Sequence, residues 1–181
     1  MSAINATVFE VDKHNLQNSR HIITNIDTQL KKNEVVLKID KFALTANNIS
    51  YAIAGDTLQY WNFFPADADW GRIPAMGYSE VVLSNCEQIA VGERIWGFVP
   101  MASHVKVLAG NVSDSGFYDI SEHRAGLSPV YASFERVKQN PFYKQANEDF
   151  DMLVRGLFTT SWLIENFMFD QRYFGAEQYL V

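Results

Sequence analysis

Residues 76–98 read MGYSEVVLSNCEQIAVGERIWGF. Two runs here, GYSEVVLS and ERIWGFVP, are rich in β-branched and aromatic residues, and Gly92 marks the turn into the second. SHVKVL adds a third short run downstream. Upstream, EVVLKIDKFAL over 34–44 alternates: Val35, Leu37 and Ile39 share one face, while Lys38 and Asp40 point the other way. KKNE before it forms a turn, and TVFEV near the N-terminus is a further short strand candidate. Short strands separated by Gly and Pro turns predict a closed or half-closed barrel.

The pattern changes on both sides of these strands. TANNISYAIAG over 45–55 loses the alternation, with Thr45 placed to cap a short helix and Gly55 to end it. Residues 56–76, DTLQYWNFFPADADWGRIPAM, read as a long loop whose aromatics are too clustered for an ordinary strand. Beyond 110, GNVSDSGF is a turn-rich linker, and SPVYASFERVKQNPFYK holds a short helix ended by Asn140-Pro141. A helix is expected from about Asp149, with Phe150, Leu153, Leu157, Ile164 and Met168 near one stripe and Trp162 and Phe167 widening it. Gly156 weakens its middle. The terminal FGAEQYLV reads as the start of a strand.

The bulk numbers exclude several classes of function. The chain has 181 residues, 48% of them hydrophobic and 20% charged, enough for one domain with a real core. A net charge of −6 without a Lys/Arg cluster argues against nucleic acid and anionic membranes as partners. The single cysteine, Cys86, allows no internal disulfide and no multi-cysteine zinc lobe. The N-terminus has no secretory pattern, and LFTTSWLIENFMF is too short and polar to span a bilayer, so a cytoplasmic location is expected.

Three stretches, taken in order, resemble the medium-chain dehydrogenase/reductase superfamily. EVVLKIDKFALTANNISYAIAG is similar to its strand followed by an Asn-containing helix start. MGYSEVVLSNCEQIAVGERIWGF is similar to its two-strand signature, here ending Val91, Gly92, Glu93, Arg94, Ile95, Trp96, Gly97, Phe98. LFTTSWLIENF is similar to the helix that crosses from the catalytic to the nucleotide domain. The closer likeness is to a zinc-less, uncharacterised branch in which the 110–150 segment carries extra helices. The resemblance implies a mainly β fold with a helical extension (α+β). A GroES-like β-barrel would occupy 1–110 and a turn-rich, helical insertion 111–149. Residues 150–181 would then hold the crossing helix and the first strand of a truncated Rossmann domain. No G-x-G-x-x-G motif occurs in the chain. The plainer alternative for FGAEQYLV is a tail strand pairing with the barrel.

Function follows from the resemblance as an expectation. The family position for a zinc-binding Cys is empty near Asn47, Tyr78 stands at the expected His position, and the four histidines show no ligand spacing, so no metal is expected. The whole protein would then be a zinc-independent reductase of enones, quinones or carbonyls using NADP or NAD, and this chain alone would not transfer hydride. Asn47 and Asn48 match the family's Asn position and are not separated by it, and Tyr51 follows one helical turn later; these neutral donors suit a developing oxyanion. An equal reading makes the two asparagines helix caps. Thr160 matches a family Thr near the nicotinamide; the plain alternative is a helix Thr bonding back to a carbonyl. Tyr60, Trp61, Phe64 and Trp70 would line an apolar substrate pocket, or cover the barrel mouth as core. Glu93 and Arg94 read as a turn pair. The rivals are a non-enzymatic small-molecule-binding module and a homo-oligomer built through the C-terminal helix and strand.

Overall fold

The computed structural model describes residues 3–178. The fold is mixed α+β, with a closed six-stranded barrel and one long C-terminal helix. The strands are β1 (Ala3–Asp12), β2 (Ser19–Asp27), β3 (Glu34–Phe42), β4 (Trp70–Gly71), β5 (Pro74–Ser84), β6 (Arg94–Pro100), β7 (His104–Gly110), β8 (Gly116–Asp119) and β9 (Ser133–Arg136). The helices are α1 (Ala46–Ile53) and α2 (Glu148–Asp170). The barrel order is β3-β5-β6-β9-β8-β7, and a separate sheet has the order β2-β1-β4. Val35, Leu37 and Ile39 point into the barrel core as their alternation requires, joined by Val81, Ile95, Val107 and Phe134.

Three features depart from the expected layout. The strands do not stop at 110: β8 and β9, inside the segment expected to be helical, close the barrel between β7 and β6. Four-residue strands carry too little alternation to be read, and packing places them instead. Phe117 and Phe134 stack in the barrel core with centroids 5.4 Å apart and planes 12° apart. Glycines make room for this: a Cβ on Gly97 would sit 2.5 Å from the Phe134 ring, and one on Gly116 2.3 Å from the Phe134 carbonyl oxygen. The expected helix in 128–144 is replaced by the 3-10 turns Pro129–Ala132 and Val137–Gln139 on either side of β9. At the N-terminus, β1 is ten residues long and pairs along its length with β2, a run of β-branched residues that the sequence reading passed over.

α2 runs unbroken through Gly156. Its first residue, Glu148, is buried and accepts from Arg94 Nε (2.8 Å), Arg94 Nη2 (2.7 Å) and the Tyr143 hydroxyl (2.8 Å). Lys41 Nζ bonds Asp149 at 2.8 Å and lies 3.5 Å from Glu148. Glu93 and Arg94 therefore do not pair with each other: Glu93 pairs with Arg136 at 2.6 Å, and Arg94 carries the helix. Past Gly156 the helix leaves the barrel, and Leu157, Phe158, Trp162, Leu163, Ile164, Phe167 and Phe169 are exposed. After it come the 3-10 turn Arg172–Gly175 and irregular backbone to Gln178. The strand expected over FGAEQYLV thus has its first residues in a turn, and Tyr179, Leu180 and Val181 lie outside the described residues.

Candidate functional site

Where α2 rises from the barrel it forms one wall of a cavity of about 690 Å³. α1 and the 129–135 segment form the other walls, a size and setting usual for a small-molecule site. The cavity brings together Asn47, Asn48, Tyr51 and Thr160, all singled out by sequence.

The two asparagines have different jobs. Asn48 is buried and consumed by structure: its Oδ1 accepts from the Thr45 backbone N–H at 2.6 Å, and its Nδ2 donates to the Pro74 carbonyl at 2.9 Å. This reach back to the N-cap holds the start of α1. Asn47 is half-buried, and its amide stands beside the Tyr51 hydroxyl. Asn48 is thus a structural residue, and Asn47 with Tyr51 forms a polar pair on the cavity wall. Gly55 does not end α1 by a left-handed turn; it gives room to Trp61, whose ring would lie 2.1 Å from a Cβ there.

Tyr51 belongs to a cluster. Its ring lies 4.6 Å from Tyr60 and 6.3 Å from Tyr131. Burial first, and then the neighbouring Tyr131, push the Tyr51 hydroxyl up to about 12, with Asn47 offsetting part of the rise. Tyr60 is raised by burial and then by Tyr131. Both phenols therefore stay protonated through neutral pH, which makes them neutral hydrogen-bond donors and poor general acids.

On the opposite wall, Arg155 pairs with Glu135 at 2.5 Å and lies over the Trp96 ring at 5.2 Å. The pair neutralises itself, so the cavity offers polar but uncharged anchoring and an apolar remainder that includes Met76, Trp96 and Leu157. Thr160 lines the cavity, but its hydroxyl donates to the Gly156 carbonyl at 3.0 Å.

The aromatic loop does not line this cavity. Trp61 is core, packed with Val11 and Ala52. Phe64 is core with Phe63 and Phe98. Trp70 sits in β4 under the Arg20 guanidinium, 4.0 Å from its ring centroid. Tyr60 faces a second cavity of about 360 Å³. The aromatic walls of the main cavity come instead from Tyr51, Trp96, Tyr118 and Tyr131. Trp96 was within reach of sequence reasoning, since it alternates with the inward Ile95 on β6. Tyr131 was not, because its segment read as a helix.

Cys86 is buried in the barrel core. Tyr78, at the position expected of a zinc-binding His, is buried with its hydroxyl unpartnered and its ring 4.8 Å from Trp96. Among the described residues no group of three or more His, Cys, Asp or Glu is placed to hold a metal ion. Nor, among them, is any helix long and apolar enough to cross a membrane.

Residues 42–181 match the family model described as "Protein of unknown function (DUF2855)". No curated protein matches the chain.

Proposed function

The chain belongs to that family, DUF2855, and from this premise we propose that it is the substrate-binding part of a zinc-independent NAD(P)H-dependent reductase with a GroES-like barrel. The substrate class is a flat, uncharged enone, quinone or carbonyl compound. One observation carries the proposal: Asn47 and Tyr51, two neutral donors, stand together on the wall of an otherwise largely apolar cavity whose charged lining residues, Arg155 and Glu135, are paired with each other. Such donors hold a carbonyl oxygen and favour the negative charge that grows on it during reduction. The closed barrel followed by a long helix supports the family resemblance.

Thr160 donates its hydroxyl to the Gly156 carbonyl, and among the described residues no glycine-rich strand-to-helix turn occurs. The role of this chain is substrate binding, and NADP or NAD belongs to a separate nucleotide-binding unit. The chain alone transfers no hydride.

The test is a titration with naphthoquinone, followed by quenching of tryptophan fluorescence, with Trp96→Phe as the control for the cavity signal. Asn47→Ala and Tyr51→Phe are each expected to weaken binding about three- to tenfold, the worth of one neutral hydrogen bond. Absence of binding, or binding indifferent to both changes, sinks the proposal. Tight binding that is unaltered when a nicotinamide nucleotide and its binding unit are supplied favours a non-enzymatic binding module.

A second reading rests on the exposed apolar side chains of α2. An apolar surface this extended is normally covered, and a second copy of the chain or the nucleotide-binding unit would cover it. Self-association is expected to appear as concentration-dependent elution in size-exclusion chromatography, abolished by Leu157→Glu with Ile164→Glu. A monomer at every concentration removes the homo-oligomer.

A further inference from the structure

We propose that Tyr131 sets the length of ligand that the barrel accepts, by walling the main cavity off from the second one. The choice of ligand head rests on the function proposed above; the wall rests on geometry alone. Among the described residues, Tyr131 alone lines both cavities. Its ring lies against Phe98 at 4.5 Å and beside the touching pair Tyr51, which lines the main cavity, and Tyr60, which lines the second, 6.3 and 5.8 Å away. Phe63 meets it edge-on at 5.7 Å.

The wall is held from behind. The Tyr131 carbonyl accepts from Arg124 Nη1 at 3.1 Å. Arg124 is buried, lies 2.7 Å from the equally buried Asp119, and covers the Phe64 ring at 4.8 Å. The backbone of Tyr131 is thereby fixed, while its ring is kept in place by tilted and edge-on contacts with Phe98, Tyr51, Tyr60 and Phe63. Tyr131 occupies the short 3-10 turn Pro129–Ala132, where Val130 is exposed, Ala132 is buried and the half-buried Tyr131 ring packs on the Phe63, Phe64 and Phe98 cluster.

Behind the ring, the second cavity has a mixed surface, about half of it apolar from Leu58, Tyr60, Phe63 and Leu127 and the rest from Thr57, Gln59 and Ser128, with no charged side chain among these residues. This space suits an alkyl chain better than a charged group. With Tyr131 in place, the main cavity takes a compact flat compound and stops its substituent at the ring. Without the ring, the substituent continues into the second cavity. Tyr131 is thus a specificity-determining residue, and its hydroxyl is not needed for this role.

The experiment measures binding of naphthoquinone and its methyl, butyl and octyl derivatives to the full chain and its Tyr131→Ala and Tyr131→Phe variants. In the natural chain and in Tyr131→Phe, affinity should stop rising at the short chains. In Tyr131→Ala it should keep rising, by up to about fourfold for each methylene that enters the second cavity. Tyr131→Leu, smaller than Tyr yet apolar, replaces the alanine variant if that one does not fold. A natural chain whose affinity climbs steadily to octyl, or an alanine or leucine variant with an unchanged profile, overturns the proposal. Alkylnaphthalenes, which lack the carbonyl, separate the two ideas. If they show the wall-dependent profile while the quinones bind no better than they do, the carbonyl reading fails and the wall stands. If the quinones bind through Asn47 and Tyr51 but neither series responds to Tyr131→Ala, the wall fails alone. Binding of neither series overturns both.

Discussion

Replacing Glu148 by alanine should lower the unfolding free energy by about 3 kcal/mol and loosen α2 from the barrel. Its side chain is 2% exposed and accepts both nitrogens that Arg94 presents, together with the Tyr143 hydroxyl. Removing one member of such a buried pair costs about 3–5 kcal/mol, because the other charge is left desolvated and unmatched. The lower end applies here, since Arg94 keeps Asp40 at 2.7 Å as a second, exposed partner. Urea unfolding measures the loss. Loss of the anchor also removes one wall of the cavity, so naphthoquinone binding should fall with it. If stability is unchanged, the network does not hold the helix.

The same residue sets an acid limit. Burial alone raises the Glu148 carboxyl, but Arg94, Tyr143 and Lys41 outweigh it and hold it below its ordinary value of 4.5. An acid whose folded value is depressed contributes stability that is fully present above the unfolded value. That contribution is lost as pH falls through the folded one. The natural chain should therefore lose stability below about pH 4.5, and the alanine variant should lose less over the same window. Glu93, lowered by Arg136 against its own burial, adds to the slope in both proteins.

The second large effect is expected at Asp119. Asp119→Ala should destabilise by about 4 kcal/mol, within the range for breaking a buried ion pair. Both side chains are 2% exposed. Asp119 Oδ1 also accepts from the backbone N–H of Leu108 and of Ser121, each at 3.1 Å, and from the Ser121 hydroxyl at 2.6 Å. Arg124 is already poorly compensated: its Nε is close to Asp119 but off the line of a hydrogen bond, and its Nη2 has no acceptor. Burial accordingly lowers its affinity for a proton, with Asp119 offsetting part of the effect. Without Asp119 the guanidinium is stranded against Phe63 and Phe64. The double variant Asp119→Ala with Arg124→Met should regain much of the loss, since an apolar side chain carries no charge to desolvate. A double variant no more stable than the single one would place the cost in the lost backbone partners of Asp119 instead.

Local pattern determined a good part of this protein. The alternation of Val35, Leu37 and Ile39 gave β3 its inward face, and the Gly92 turn separated β5 from β6 as read. The apolar run after Asp149 specified the long helix, and Asn47, Asn48 and Tyr51 were placed on one short helix by their spacing. These features depend on neighbours within a few residues, which is the range that periodicity reports. What local pattern could not supply was decided between distant segments. β8 and β9 exist because Phe117 and Phe134 stack inside the barrel over the space left by Gly97 and Gly116. Trp61 and Phe64 became core, and Tyr131 a cavity wall, according to which surfaces met. Asn47 and Asn48, identical in type and adjacent in sequence, were told apart only when Asn48 met the Pro74 carbonyl, 26 residues away. A buried amide must satisfy its hydrogen bonds, and which partners are in reach is a property of the tertiary fold.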